Sequence, residues 1–585
     1  MTPSSITFDS MLALDIGETI TRAILFDIVD GSYRFVAAGS SPTTIGLPFR
    51  NVSEGARLAI DNLYEITGRV LIGSDEHLIM PAAGDGTGVD GLVIVMSGGP
   101  PLRVILTGLL EDVSVESARR LANTTYTTII DTFSLNDHRK TESRLDAVLR
   151  LQPDLILISG GTEGGAGQSL LHMLEPIRLA CNLMPGELRP QLLYAGNREL
   201  GERITSVFSP LTHVELAPNV RPTLEAEQVE PAHTYLARIF RSIHTRKMAG
   251  LQELDTWAGG GLIPKATAFG RVIRFLSLDD ATKGVLGVDV GVSSTTIATA
   301  LAGESRLGVY PELGLGRCSE VISSKSQLAR LVEWLPIDIP EDYVRDYVFN
   351  KSINPAAIPM TNEDLAIEQA LVRYLLRRAA NRMAGELAAQ NNYWAGRRLL
   401  PPLEPVIASG TALTNVPNPG QSLLMLLDAI QPTGITTVIL DRNNISAALG
   451  AAATINPTLS VQVLDSGTFS NLGTVISPVS NARMGTPVLR VQMTLKDSGD
   501  EIKLDVKQGS LEVLPLSPGQ IASLYLRPYH RADIGMGPGK GGSLKRVVGG
   551  ALGVVIDARG RPLQLSDDAA RRQEFMRKWL WTLGG

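Results

Sequence analysis

Short apolar runs alternate with amphipathic stretches from Ser10 to about Glu230, the pattern of strands and helices taking turns in an α/β domain. "GLVIVMSGG" and "LRVILTGLL" read as strands, and "SVESARRLAN" has the capping and spacing of a helix. "DLILISGGTEGGAG" predicts a buried strand running into a glycine loop, and "PQLLYAGNRELGERI" repeats the strand, loop, helix order. Sheets of this kind place ligands at the loops beyond the carboxyl ends of their strands.

Near the start, "LALDIGETITRAILF" places Asp15, Gly17, Thr19 and Thr21 between two apolar runs, which predicts antiparallel strands joined by a tight turn. "GVLGVDVGVSSTTIATAL" repeats that layout from Gly284, with Asp289, Gly291 and the hydroxyl cluster Ser293, Ser294, Thr295 and Thr296. A repeat so distant predicts two like lobes facing one cleft rather than a short-period solenoid. The expected boundaries are 10–230 for the first lobe, 231–280 for a connector and 281–455 for the second lobe. The connector reading rests on Gly259 to Gly261 and Pro264, which interrupt regular structure. "TNEDLAIEQALVRYLLRRAANRMAGELAAQ" predicts a long helix capped by Thr361, and "EPVIASGTALTN" a strand ending in the turn Ser409, Gly410, Thr411. Period-two alternation through Ile502, Leu504 and Val506 predicts a separate β-rich domain over 456–585, closed by a terminal helix.

Of the 585 residues, 44% are hydrophobic and 19% charged, enough to bury cores in several domains. A formal net charge of −6 gives no global attraction to nucleic acid or an anionic membrane. The apolar runs are too short and too broken to span a bilayer. The two cysteines, Cys181 and Cys318, lie far apart, and the Met-Thr-Pro-Ser-Ser start lacks a secretion signal, so a cytoplasmic location is expected.

Consecutive backbone N–H groups converging on oxygens make a phosphate site, with glycine permitting close approach and Ser or Thr adding donors. The turns at Gly17 and Gly291 meet that requirement twice, and the Ser409 turn follows in order. Asp15 and Asp289 are the candidate magnesium ligands, each acting through water. Seven histidines show no zinc spacing, and neither cysteine sits in a nucleophile's context.

The order of the Asp15 loop, the Asp289 loop and the Ser409-Gly410 turn resembles the superfamily of actin, sugar kinases and heat-shock chaperone ATPases. More narrowly, "PDLILISGGTEGG", "LLYAGNRE", "APNVRPTLEAEQVEPA", "GVLGVDVGVSSTT" and "ILDRNNISAALG" together resemble the MutL-type proteins associated with glutamate mutase, from about Leu12 to Ile455. That resemblance implies two actin-like (ribonuclease H-like) lobes, bound ATP and magnesium, and a role as an accessory or reactivating factor for a coenzyme-B12-dependent mutase. It implies nucleotide contacts at Gly17, Glu18, Thr19, Thr21, Gly160, Gly161, Thr162, Gly291, Ser293, Ser294, Thr295, Ser409, Gly410 and Thr411. The family's first loop usually reads Asp-x-Gly-Ser-Thr-Thr-Thr-Lys, so Glu18, Ile20 and Arg22 depart from it. In the second loop Ile297 follows Thr296 where the family carries an acid, and "MSGGPPLR" replaces a small-residue stretch. A carboxylate beside a triphosphate is repulsive, and loss of the acid removes a residue to orient water. Nucleotide binding with slow or absent turnover, at most a weak ATPase, is therefore the expectation.

Its competitor is a non-enzymatic assembly or scaffold protein whose last domain binds a protein; self-association stays open under both. "SGGTEGGAG" carries Glu163, read either as a metal or nucleotide contact or as part of a tight turn. Asp131, Asp137, His138 and Arg139 read as a solvated loop and helix start. "RPYHRADIGMGPGKGGSLKR" surrounds a glycine-rich loop with cations and reads as an exposed hairpin loop or an anion grip.

Overall fold

The computed structural model describes residues 8–165, 167–280, 282–390 and 399–584. The chain divides into two compact units, one built mainly from residues up to Ala268 and the other mainly from Phe269 onward.

The first unit opens with β1 (Met11–Ile16), β2 (Ile20–Val29), β3 (Ser32–Pro42) and β4 (Gly91–Met96). It continues with β5 (Leu102–Thr107), β6 (Thr127–Phe133), β7 (Leu155–Ile158), β8 (Gln191–Tyr194), β9 (Val214–Leu216) and β10 (Leu262–Pro264). One sheet has the order β10-β4-β1-β2-β3; β1 is antiparallel to β2 and parallel to β4, and β10 is parallel to β4. Every residue of β1 and β4 is buried, so these central strands read as apolar runs, broken only by Asp15 of β1.

The stretch between β4 and β10 carries a second sheet, β6-β5-β7-β8-β9, parallel throughout. Its inner strands β5, β7 and β8 are buried on both faces: Val104 and Leu106 of β5 join one apolar cluster, Ile105 another. This is the flavodoxin-like order, whose direction reverses between β5 and β7.

The second unit repeats the first sheet. The strands of this repeated sheet are β11 (Val285–Val290), β12 (Thr295–Leu301), β13 (Glu304–Tyr310), which straddles the division between the units, β14 (Val406–Ser409) and β15 (Gly434–Leu440). In the order β15-β14-β11-β12-β13 each strand takes the place of its counterpart β10, β4, β1, β2 or β3. The remaining strands are β16 (Ser470–Ser477), β17 (Pro487–Leu495), β18 (Glu501–Lys507), β19 (Leu511–Leu514), β20 (Ile521–Pro528), β21 (Gly542–Val548) and β22 (Val554–Asp557).

Two expected boundaries shift. The stretch 231–280 does not merely connect: helix Glu230–Lys247 buries Ala232, Leu236, Ile239, Phe240 and Ile243 in the first unit's core, and β10 closes that unit's sheet. A three-residue strand ending in Pro264 was too short to show periodicity. Nor is the C-terminal region a separate body. β16 pairs with β15, and β22 and β19 follow, extending the second unit's sheet to eight strands. Only β18-β17-β20-β21 form a sheet of their own, and their apolar faces share a core with Ile476, Val554 and Ile556.

That seam holds a buried ionic network. Arg559 Nη1 donates to Asp428 Oδ1 at 2.7 Å and Arg559 Nε to Asp557 Oδ1 at 2.8 Å. Arg561 Nη2 reaches Asp557 Oδ2 at 2.7 Å, and Arg373 Nε reaches Asp428 Oδ2 at 2.8 Å. The Arg559 guanidinium also lies 4.5 Å from the Trp579 ring centroid.

Candidate functional site: two glycine turns

In the first unit β1 and β2 place Asp15 opposite Arg22 and Ile16 opposite Thr21. Gly17 N–H donates to Ile20 O at 3.0 Å, closing the turn. In the second unit Asp289 stands opposite Thr296 and Val290 opposite Thr295, and Gly291 N–H donates to Ser294 O at 2.9 Å. The two turns are equivalent residue for residue. The neighbouring parallel strand ends in a tightly packed glycine in each unit, at non-equivalent positions: a Cβ on Gly98 after β4 would lie 2.3 Å from Gly17 O, and one on Gly410 after β14 would lie 2.3 Å from Val290 O. Both positions require glycine because backbone stands where a side chain would begin.

The hydroxyls split into two groups. Thr21, fully buried, shares a 2.9 Å hydrogen bond with Thr43 Oγ1, which donates to Gly17 O at 3.0 Å. Its counterpart Thr295 is also fully buried and donates to Leu313 O at 2.8 Å. Thr21 and Thr295, expected on phosphate, brace the turns from inside. Among the described residues the hydroxyls of Thr19, Ser293 and Ser294 have no partner, and neither have the backbone N–H groups of Val292 and Ser293. The second turn thus presents donors.

The first turn differs. Glu18, the counterpart of Val292, accepts a hydrogen bond from Gly99 N–H at 2.7 Å. Asp15, almost fully buried, pairs through Oδ2 with Lys265 Nζ at 2.9 Å, while its Oδ1 is enclosed without a hydrogen bond. Lys265 follows β10 directly, and nothing in "GGGLIPKATAFG" flagged it.

Ser409 lies beside Asp289 in register. Gly410, at φ +103°, donates its N–H to Asn444 Oδ1 at 2.7 Å, and Ser409 Oγ lies 3.2 Å from the same oxygen. Asp441 caps the next helix, accepting from Ile445 N–H at 3.0 Å and Ser446 N–H at 2.7 Å. Asn444 and Asp441, carried by "ILDRNN", hold the Ser409 turn and the following helix in place. Thr411 is exposed. Gly410→Ala should destabilise the second unit by about 2 kcal/mol or more in chemical denaturation, since a Cβ there meets Val290 O and N and the φ is left-handed.

Gly160, Gly161 and Thr162 lie at the carboxyl end of β7, in the inserted parallel sheet rather than in either turn-bearing sheet. Glu163 staples that loop: its Oε1 accepts from Asn219 Nδ2 at 2.8 Å and its Oε2 from Arg198 N–H at 3.2 Å. The motifs "SGGTEGG", "YAGNRE" and "APNVRP" thereby converge on one edge.

The other clusters are held by internal contacts. Arg139 pairs with Asp131 at 2.9 Å and Arg144 with Asp137 at 2.7 Å. Burial raises the Asp137 carboxyl, but Arg144 and the N–H groups of Arg139 and Ser134 outweigh it and hold it below the usual range. Burial pushes the Cys181 thiol up to about 11, and Cys318 is raised by burial as well. In the basic C-terminal loop, Asp533 Oδ1 accepts from Gly535 N–H at 2.8 Å and Gly537 N–H at 3.0 Å. Gly535 packs on Gly434 of the same unit.

Two sheets of one strand order, each with a glycine turn after its first strand, give the duplicated α/β fold expected of actin-like lobes. No helix among the described residues is long and apolar enough to cross a membrane. The chain belongs to the MutL protein family, whose model matches residues 11–467. Protein MutL of Clostridium tetanomorphum is 22% identical over 493 residues, spanning 78% of this chain and 98% of that protein. Two solved structures are also similar. A glycerol dehydratase reactivase is 11% identical, covering 76% of this chain and 99% of that one with a TM-score of 0.29. Component A of (R)-2-hydroxyglutaryl-CoA dehydratase from Acidaminococcus fermentans is 10% identical, covering 77% and 98% with a TM-score of 0.25.

Proposed function

We propose that this chain is a nucleotide-binding accessory factor of the glutamate-mutase type, a reactivating or chaperone-like partner of a coenzyme-B12-dependent mutase, with slow or absent ATP hydrolysis. The observation that carries nucleotide binding is the second turn, where the N–H groups of Val292 and Ser293 and the hydroxyls of Ser293 and Ser294 have no partner among the described residues. Unsatisfied donors at a glycine turn suit phosphate oxygens. The mutase role comes from membership in the MutL family.

A magnesium ion accompanying ATP would neutralise phosphate charge. Asp289 is the residue that would hold it, two positions before Gly291 at the turn that presents the open donors. Asp15 does not suit it, because the Lys265 ammonium already neutralises that buried carboxylate. Slow turnover follows from Ile297, a fully buried apolar side chain where an acid would orient water.

The scaffold reading draws support from the first turn, where Glu18 and Lys265 satisfy its groups from within. Calorimetric titration of ATP with magnesium separates the two: saturable binding is expected, and no heat with no thermal shift favours the scaffold. Glu18→Ser frees Gly99 N–H and removes a negative charge, so ATP affinity should rise about tenfold; unchanged or weaker binding would show the carboxylate is harmless or useful. Phosphate release measured with and without a purified glutamate-mutase-type enzyme then tests the partner.

A further inference from the structure

The second unit holds a cavity of about 400 Å³ walled by three helices that bring four arginines together. Arg330 comes from helix Lys325–Val332, Arg377 and Arg378 from helix Asn362–Gln390, and Arg572 from helix Ala569–Thr582. None of the four forms an ion pair among the described residues, although the carboxylates Glu333 and Asp567 line the same cavity.

Their hydrogen bonds go to neutral groups. Arg377, half-buried, donates through Nη1 to Asp428 O at 3.2 Å, and Arg378 donates to Tyr374 Oη at 3.2 Å. Arg572 Nη1 reaches the carbonyls of Ser566 at 2.8 Å and Asp567 at 3.4 Å, while its Nε is buried with no partner. The carboxylate of Asp428, whose carbonyl Arg377 meets, is already shared by Arg373 and Arg559. Burial acts on Arg377 accordingly, drawing its pKa below the usual arginine value.

Like charges gathered around a concavity repel one another, and a desolvated guanidinium without a counter-ion is costly. An arrangement of this kind is stabilised by an anion from outside. Guanidinium forks match the paired oxygens of phosphates and carboxylates, and the volume lies in the range of small-ligand pockets, roughly 300 to 1,000 Å³.

We infer that this cavity is a binding site for a small oxyanion of charge −2 or more, a phosphate ester or a polycarboxylate, separate from the nucleotide turns. The site does not depend on the nucleotide reading. Two of its walls belong to the family-wide part of the chain and the third, carrying Arg572, lies beyond residue 467.

Calorimetry of the full chain at about 0.15 M salt, with pyrophosphate and with citrate as probes, tests it. One probe at least should saturate with a Kd of about 1 mM or tighter. Pyrophosphate as the tighter probe indicates a phosphate ester, citrate a polycarboxylate. Arg330→Gln, an exposed change that leaves packing intact, and Arg378→Gln should each weaken binding about tenfold, while Arg546→Gln on β21 leaves it unchanged. Magnesium ATP should not displace the bound probe. Failure of both probes to saturate by about 10 mM, equal weakening by Arg546→Gln, or displacement by ATP would overturn the assignment.

Discussion

Arg559→Met should lower the stability of the second unit by about 3 to 5 kcal/mol, read as a shift of the denaturation midpoint followed by the near-ultraviolet signal of the tryptophans. The side chain is fully buried and holds two acids at once, Asp557 and Asp428. Removing it leaves Asp557 with Arg561 alone and Asp428 with Arg373 alone. A hydrophobic replacement of one member of such a network strands charge, whereas replacing all of it would not. Loss below about 1 kcal/mol would mean that the neighbours relax to re-pair the acids.

The same network sets a pH dependence. Burial raises the Asp557 carboxyl, but the Coulombic attraction and hydrogen bonds of Arg559 and Arg561 outweigh it and hold the group well below the usual aspartate range. A folded pKa below the unfolded one means that the unfolded chain binds the proton more readily. The stabilisation is therefore present above the unfolded aspartate value of about 3.9 and fades as pH falls below it. In Arg559→Met the folded value rises toward the unfolded one, so the variant's stability should decline less between about pH 5 and 3 than the parent's.

What the sequence made visible follows from what repeats. The two Asp-x-Gly turns could be aligned because strand, turn and strand are contiguous in the chain, and their shared register bears this out at Ile16 opposite Thr21 and Val290 opposite Thr295. The direction of a hydroxyl could not be read that way: Thr19 and Thr21 look alike in sequence, yet Thr19 stays in the turn while Thr21, inside β2, is buried against Thr43. Nor could the placing of Gly160, since a glycine loop after a buried strand has one appearance whichever sheet the strand joins. The domain boundary at Asn456 rested on a change of periodicity, but β16 joins the existing sheet antiparallel to β15. The arginine network was invisible because its members, Arg373, Asp428, Asp557 and Arg559, are scattered and separately unremarkable.

Lys265→Met should cost the first unit about 3 to 5 kcal/mol, because it leaves the Asp15 carboxylate buried without a counter-charge and with its second oxygen already unpartnered. The pair joins the first strand of the unit to the residue after its last-added strand, 250 positions apart. Asp15→Asn alone removes the acid that Lys265 holds, and the double variant removes both charges. A double-mutant cycle by chemical denaturation should therefore show coupling of about 2 kcal/mol or more, with the double variant much less damaged than the sum of the single ones. Additive losses would mean that Lys265 and Asp15 are stabilised by other neighbours, and that Asp15 remains available to a magnesium ion after all. Titration of ATP against Asp15→Asn distinguishes these outcomes: affinity in the presence of magnesium should be little changed where the lysine holds the carboxylate, and should fall sharply where the metal does.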